Sequence, residues 1–118
     1  MAKILSIAST EILKTTRQLI LQNAGYEVVS FSCVPSVEEL EKAGKPHLAV
    51  LGHEFRGSDK RKLALALNQL FPGIPILEMC MNSPEVPGAD FILSNSPEHL
   101  VSAINEILAG RRVRGFIA

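Results

Sequence analysis

Short apolar runs alternate with segments of helical pattern along the whole chain, and this alternation constrains the fold more than any other feature. Five runs have the length and the apolar content of buried strands, at 3–8, 26–32, 47–52, 74–81 and 90–94. Four helices are predicted at 10–24, 36–44, 58–71 and 96–110. Continuous apolar strands that alternate with helices form parallel sheets covered on both faces. The pattern therefore predicts a three-layer α/β sandwich.

Residues with strong terminal preferences mark the ends of the predicted helices. Thr10 can cap the first helix, and Gly25 follows its last turn. Ser36 and Glu39 have the spacing of a capping box at the start of the second helix. Pro97 fits the first position of the last helix, where a missing N–H costs nothing. These signals support the helix boundaries independently of the apolar pattern.

Size and charge limit the classes of partner. A chain of 118 residues with 47% hydrophobic content fits one domain, 1–118, with a core of its own. Twelve basic and twelve acidic residues balance, so no general attraction to nucleic acid or to an anionic membrane is expected. The first residues do not form a signal peptide, and no run approaches the roughly 20 apolar residues of a membrane span. We expect a cytoplasmic protein whose two cysteines are reduced thiols.

The ordered series of segments resembles a known family over nearly the whole length. Five strands in about this chain length suit the flavodoxin-like fold, with a parallel sheet in the order 2-1-3-4-5. The segments that carry the resemblance are "KILSIAST", "NAGYEVVSFS", "KPHLAVLG", "IPILEMC", "GADFIL" and "SPEHLVSAINEIL". In this order they are similar to the receiver domain of bacterial two-component response regulators. The resemblance implies a signalling domain in a phosphorelay.

The residues that perform phosphotransfer in receivers are absent from the matching positions. Receivers hold a magnesium ion with two acidic residues after the first strand, where this chain has Ala8 and Ser9. Their phosphate-accepting aspartate ends the third strand, where Gly52 stands. A magnesium ion needs oxygen ligands such as carboxylates, and an acyl phosphate needs a carboxylate nucleophile. The resemblance therefore implies a degenerate receiver, or pseudo-receiver, that the usual aspartyl mechanism cannot phosphorylate.

Two further receiver positions are also changed. The threonine or serine that ends the fourth strand in receivers is Cys80 here. The lysine that follows the fifth strand is replaced by Ser94 or Asn95, because "LSNSPEHL" is shorter than the family's segment. No catalytic residue and no cofactor are expected at a site altered in this way.

A rebuilt site at the same place is the alternative interpretation. The fold would bring six residues to one crevice at the carboxyl ends of the strands, where α/β proteins bind ligands, namely Ser9, Gly52, His53, Glu54, Cys80 and Asn95. A histidine and a thiol together suit a soft metal, or a nucleophile with its base. A loop histidine is usually solvated, however, and a cysteine at a strand end is usually a small buried apolar residue. A small-ligand or metal-binding domain therefore stays open as the second hypothesis.

The segment between the fourth and fifth strands is too short for the helix that receivers carry there. It reads "NSPEVPG", and Pro84 and Pro87 each fix φ and remove a backbone donor. The sequence thus predicts that the fourth helix of the family is shortened or absent. In receivers this helix belongs to the face that reads out activation and through which many of them dimerise.

Loss of that helix predicts an exposed interaction surface. Glu78 would be costly to bury without a partner, so we expect it on the uncovered face of the sheet. Its neighbours Ile76, Phe91 and Ile92 would be exposed beside it and covered by a protein partner or by a second copy in a homodimer. The alternative is that the "NSPEVPG" loop or the "GFIA" tail folds back over this face. The sequence predicts a non-catalytic signalling or protein-interaction module.

Overall fold

A single sheet of five parallel strands in the order β2-β1-β3-β4-β5 forms the centre of the molecule. The computed structural model describes residues 1–115. Its elements in chain order are β1 (Lys3–Ile7), α1 (Glu11–Asn23), β2 (Glu27–Phe31), α2 (Val37–Ala43), β3 (Leu48–Leu51), α3 (Gly57–Leu70), β4 (Ile76–Met79), β5 (Asp90–Ile92) and α4 (Pro97–Leu108). The predicted flavodoxin-like fold and strand order are confirmed.

Alternation along each strand divides the core into two layers. On one face Ile4 and Val50 pack with Leu21 of α1 and Leu100 of α4. On the other face apolar side chains of β1, β3 and β4 pack with Leu40, Leu63 and Leu67 of α2 and α3. Successive side chains of a strand point to opposite faces of the sheet, and here both faces are covered by helices. The strands are therefore apolar at most positions and do not alternate with polar residues.

The predicted helix starts form as expected, whereas the strands are shorter than predicted. The Thr10 hydroxyl accepts the N–H of Leu13, and the Ser36–Glu39 capping box is complete. β4 spans four residues, although the apolar run extends over 74–81. The ends of that run lie in the loops beside the strand, and Ile74 and Cys80 are buried there all the same. Buried residues extend beyond the residues that are hydrogen-bonded in the sheet. The length of an apolar run in the sequence therefore overestimates the length of the strand.

The connection between β4 and β5 contains no helix, as the two prolines predict. Residues 80–89 form turns and irregular structure that cross the face carrying α2 and α3. Val86 is buried and joins the apolar cluster of that face. The loop thus fills part of the space that a helix would otherwise cover.

The expectation of an exposed patch on this face is wrong. Glu78 is completely buried and Ile76 is buried beside it, whereas Ile92 is buried in the apolar cluster of the opposite face; of the four predicted residues only Phe91 is partly exposed. The "NSPEVPG" loop folds back over the β4 side of the face, which was the alternative considered from the sequence. Monomer packing therefore accounts for these apolar side chains without a partner.

A buried ion pair explains how the loop can cover a carboxylate. Lys60, on α3, donates to Glu78 Oε2 and to the Met79 carbonyl oxygen, each at 2.9 Å. Glu78 Oε1 accepts the backbone N–H groups of Glu85 and Val86 at 3.0 Å. Removal of a charge from water is tolerated when it is paired and its remaining lone pairs are satisfied. Exposure of Glu78 is expected only if its carboxylate has no partner, and Lys60 is that partner.

The chain after α4 covers the outer edge of β5. The N–H of Phe91 donates to the carbonyl of Val113, and the N–H of Gly115 donates to the carbonyl of Phe91. Arg114 forms a parallel bridge with Phe91, and Asp90 accepts from Arg112 Nε at 2.9 Å. The tail proposed as a second possible cover therefore closes the sheet edge, at least as far as Gly115. The rest of "GFIA" lies outside the described residues.

Cys33 is exposed and Cys80 is buried, and both thiols are free. Within residues 1–115, none of the helices has the length and apolar character needed to cross a bilayer.

Candidate functional site

The crevice at the carboxyl ends of the strands contains the positions singled out from the sequence. Ala8 and Ser9 follow β1, Gly52 follows β3, and Cys80 follows β4. Ser94 and Asn95 lie in the loop between β5 and α4. His53, Cys80, Ser94 and Asn95 share the lining of one small cavity of about 180 Å³. Parallel strands bring these loops to one edge of the sheet, as the topology requires.

The space beside Gly52 is filled by an ion pair. A Cβ atom at Gly52 would lie 2.3 Å from Glu54 Oε1 and 2.5 Å from Arg17 Nη1. Both distances are far below van der Waals contact, so even an alanine requires these side chains to move. Gly52 is therefore part of a packed arrangement in which an ion pair occupies the place of a side chain.

Arg17 and Glu54 make a two-point contact. Arg17 Nη1 donates to Glu54 Oε1 at 3.0 Å, and Arg17 Nη2 donates to Glu54 Oε2 at 3.2 Å. The backbone N–H of Ser9 also donates to Glu54 Oε1, at 3.0 Å. Glu54 thereby joins the β3–α3 loop to α1 and to the end of β1. Planar, paired contacts of this kind are the strongest that arginine makes with carboxylates.

The surroundings of Glu54 keep it ionised. Burial alone would raise the pKa of the Glu54 carboxyl, but other effects outweigh it. Hydrogen bonds from Arg17 and from the backbone, together with the positive charge of Arg17, hold that pKa below its ordinary value. The carboxylate that lies nearest to the receiver acceptor position is thus fully engaged as a partner of Arg17.

His53 completes the cluster. Its Nδ1 lies 3.2 Å from Arg17 Nη2 and 3.5 Å from Glu54 Oε2. Its side chain is 18% exposed. The imidazole therefore bonds to the ion pair, with Arg17 as its nearer partner.

Cys80 is unsuited to nucleophilic or metal chemistry in this environment. Burial, together with the carboxylate of Glu78, raises the pKa of the Cys80 thiol to about 12. The thiolate is the reactive and metal-binding form, and it is scarce at neutral pH when the pKa is so high. Cys80 thus acts as a small apolar residue that closes the floor of the crevice.

The described part of the chain offers no cluster that could hold a metal ion. Among residues 1–115 no group of three or more histidine, cysteine, aspartate or glutamate side chains converges. In the crevice the single carboxylate of Glu54 has both oxygens engaged by donors. Magnesium binds through carboxylate and other oxygen ligands, so the crevice residues do not fit it.

Sequence reasoning placed Glu54 in the crevice but missed Arg17. The signal was present in the helical spacing. Arg17 lies four residues from Leu13 and from Leu21, on the stripe of α1 that faces the sheet. Lys60 occupies a similar place on α3, in line with Ala64 and Leu67. A basic residue on the buried side of a helix indicates an acidic partner on a neighbouring helix, strand or loop.

Solved structures of response regulator receiver domains are similar to this chain over nearly all of its length. A LuxR-family two-component response regulator from an Aurantimonas species is 26% identical, with a TM-score of 0.74 over 96% of this chain and 89% of its own. A receiver protein from Sinorhizobium medicae is 22% identical, with a TM-score of 0.73 over 94% and 97% of the two chains.

A CheY-like receiver domain from Methanospirillum hungatei is 20% identical, with a TM-score of 0.72 over 93% and 95% of the two chains. No known family profile matches the chain, and no curated protein sequence matches it. Its structural neighbours are thus receiver domains of the CheY-like fold.

Proposed function

We propose that residues 1–118 form a receiver-like signalling module that is not phosphorylated by the aspartyl mechanism and that acts by binding a protein. The receiver fold suggests signalling, since receiver domains are generally non-enzymatic and work through other proteins. The degenerate positions Ala8, Ser9, Gly52, Cys80, Ser94 and Asn95 support the pseudo-receiver assignment.

The observation that carries this proposal is the ion pair beside Gly52. A degenerate receiver could retain an open crevice into which a metal and a phosphoryl group still fit. Here Arg17 and Glu54 fill the space where an acceptor side chain would start. Arg17 also brings a fixed positive charge, which takes over the charge balance that a metal ion gives in a receiver. The space beside Gly52 is thus occupied by charge and by volume together.

Intact-mass measurement after incubation with a small phosphodonor and magnesium tests the proposal. We expect no phosphoryl adduct, because the crevice offers neither a free carboxylate nor magnesium ligands. A phosphorylatable receiver domain in the same buffer serves as the positive control. An adduct on a carboxylate at the crevice would overturn the proposal.

The alternative of a small-ligand or metal site at His53 and Cys80 has less support. The shared cavity of about 180 Å³ is below the roughly 300–1,000 Å³ of usual ligand pockets. The Cys80 thiol stays protonated, which removes the soft ligand on which that hypothesis depends. We therefore propose no enzymatic activity and no cofactor.

A cytoplasmic location and a protein partner are parts of the same proposal. Free thiols at Cys33 and Cys80 fit a reducing compartment. The partner is either a second copy or a different protein, and light scattering at micromolar concentration separates the two. A mass that doubles with concentration would indicate a homodimer, whereas a constant monomer mass would remove the homodimer and leave a different protein as the proposed partner.

A further inference from the structure

We propose that the strand-end crevice senses pH through His53, whose protonation exchanges a hydrogen bond with Arg17 for one with Glu54. The inference concerns the side chains of Arg17, His53 and Glu54, which we call the crevice triad. It rests on the proposed function, because a proton would then be the input signal of a domain that is not phosphorylated.

The contact with Arg17 fixes the tautomer of the neutral ring. A guanidinium group has donors only, so the 3.2 Å contact requires His53 Nδ1 to accept from Arg17 Nη2. In this geometry Nδ1 carries no proton, and the ring proton of the neutral form is on Nε2. The contact therefore fits a neutral His53 ring whose proton is on Nε2.

Protonation makes this contact impossible. A proton on Nδ1 turns an acceptor into a donor, and two donors cannot share the Arg17 bond. Glu54 Oε2 lies 3.5 Å from the same nitrogen and is the nearest acceptor in the triad. The protonated ring would therefore turn toward Glu54. Arg17 Nη2 would keep only Glu54 as its acceptor.

The ring has room for this change. His53 lines the cavity of about 180 Å³ that it shares with Cys80 and Asn95. It also lines a second cavity of about 100 Å³, together with Arg17 and Met79. A side chain with space beside it can reorient without displacing close-packed neighbours.

Few charged groups face the ring. Arg17 faces it from α1, and Glu54 faces it from its own loop. Cys80 faces it from the end of β4 but stays neutral, since its thiol has a pKa of about 12. The β5–α4 loop contributes the uncharged Ser94 and Asn95. His99 lies behind Ser94, with its Nδ1 2.6 Å from the Ser94 hydroxyl.

The triad joins three parts of the molecule, so a change of partner can be transmitted. Arg17 belongs to α1, and Glu54 binds the backbone of Ser9 at the end of β1. The smaller cavity is also lined by Asn95 and Pro97, at the start of α4.

An NMR titration of the full chain between about pH 8 and 5 tests the inference. The probes are the imidazole of His53, the guanidinium of Arg17 and the backbone N–H of Ser9. We expect the three signals to shift with one common midpoint. At the alkaline end the His53 ring should be the tautomer protonated on Nε2.

His53→Asn is the matched variant. Its amide oxygen can occupy the position of Nδ1 and accept from Arg17 at every pH, but it does not titrate in this range. We expect the transitions at Arg17 and Ser9 to disappear in this variant and to persist in His99→Gln. If His53→Asn fails to fold, the inference is still tested by the tautomer of His53 in the wild type and by whether the three signals share one midpoint.

Three results would overturn the inference. One is a proton on Nδ1 of neutral His53 at the alkaline end. Another is a titration of His53 that leaves Arg17 and Ser9 unchanged. The third is an unaltered transition at Arg17 and Ser9 in His53→Asn. The phosphodonor assay is a separate readout, so a phosphoryl adduct would refute the proposed function without changing these titrations.

Discussion

Two ion pairs lie at the places where this chain departs from a typical receiver, which are the acceptor position and the missing helix. They differ in burial. In the strand-end crevice, Arg17 and Glu54 fill the space beside Gly52, and the Glu54 side chain is 14% exposed. Below the β4–β5 loop, Lys60 and Glu78 bind the loop in the absence of a helix, and the Glu78 side chain has no exposure at all. In both pairs the carboxylate also accepts backbone N–H groups.

The two ion pairs differ in role as well as in burial. The Lys60–Glu78 pair lies below a loop whose backbone N–H groups complete the hydrogen bonds of the Glu78 carboxylate. The Arg17–Glu54 pair has a titratable third member in His53, which borders two small cavities, one of them together with Arg17. We infer that the first pair holds the fold together and that the second can respond to the solvent.

The largest effect is expected from Lys60→Met, which leaves the Glu78 charge buried without its partner. We expect a loss of about 3–5 kcal/mol in the free energy of unfolding, as for other broken buried pairs. Chemical denaturation measures it. Adding Glu78→Gln should recover much of the loss, because a neutral amide oxygen can still accept the loop N–H groups.

Glu85→Ala is the control for the same region. The Glu85 side chain is 45% exposed, and the Glu78 carboxylate binds only its backbone N–H. We expect a change within about 0.5 kcal/mol, as for other surface substitutions. If Lys60→Met were equally mild, the Lys60–Glu78 pair would not be what holds the loop.

Glu54→Gln is expected to have a smaller effect that depends on pH. It removes the charge opposite the buried Arg17, at a cost of about 1–3 kcal/mol at neutral pH. Because the pKa of Glu54 is lowered in the folded state, its stabilising effect is present above the unfolded pKa and is lost as pH falls through the folded pKa. The difference between wild type and variant should therefore narrow below about pH 4. A difference that stays constant from pH 7 to pH 3 would contradict the role assigned to the Glu54 charge.

Gly52→Ala tests whether the ion pair fills the acceptor position. The added methyl group must displace Glu54 or Arg17, and we expect a loss of about 1–2 kcal/mol, within the range for overpacked sites. In a Glu54→Ala background the same substitution should cost much less, because the nearest obstacle is gone. Additive losses in a double-mutant cycle would show that Glu54 does not occupy this space.

The sequence predicted the sheet and its order, because apolar periodicity and capping residues act locally and agree with one another. It also predicted which receiver positions lack their side chains, since that follows from residue identity. It did not predict what fills the vacated places. The partners Arg17–Glu54 and Lys60–Glu78 lie 37 and 18 residues apart in the chain. Such pairs depend on the packing of separate elements.

The exposure of Ile76 and Glu78 was mispredicted for the same reason. Their face of the sheet was assigned correctly by strand alternation, but its cover depends on two backbone N–H groups of the β4–β5 loop. No propensity of the loop residues encodes that contact. A lysine on the apolar stripe of α3 was the one indication available.

We propose that the changes at Ala8, Ser9 and Gly52 together, and not the one at Gly52 alone, prevent phosphoryl transfer. Intact-mass measurement of Gly52→Asp beside the wild type, after incubation with a small phosphodonor and magnesium, tests this. We expect that neither protein gains a phosphoryl group, because Ala8 and Ser9 still provide no carboxylate for the metal ion. A magnesium-dependent phosphoryl adduct on the introduced carboxylate would contradict it.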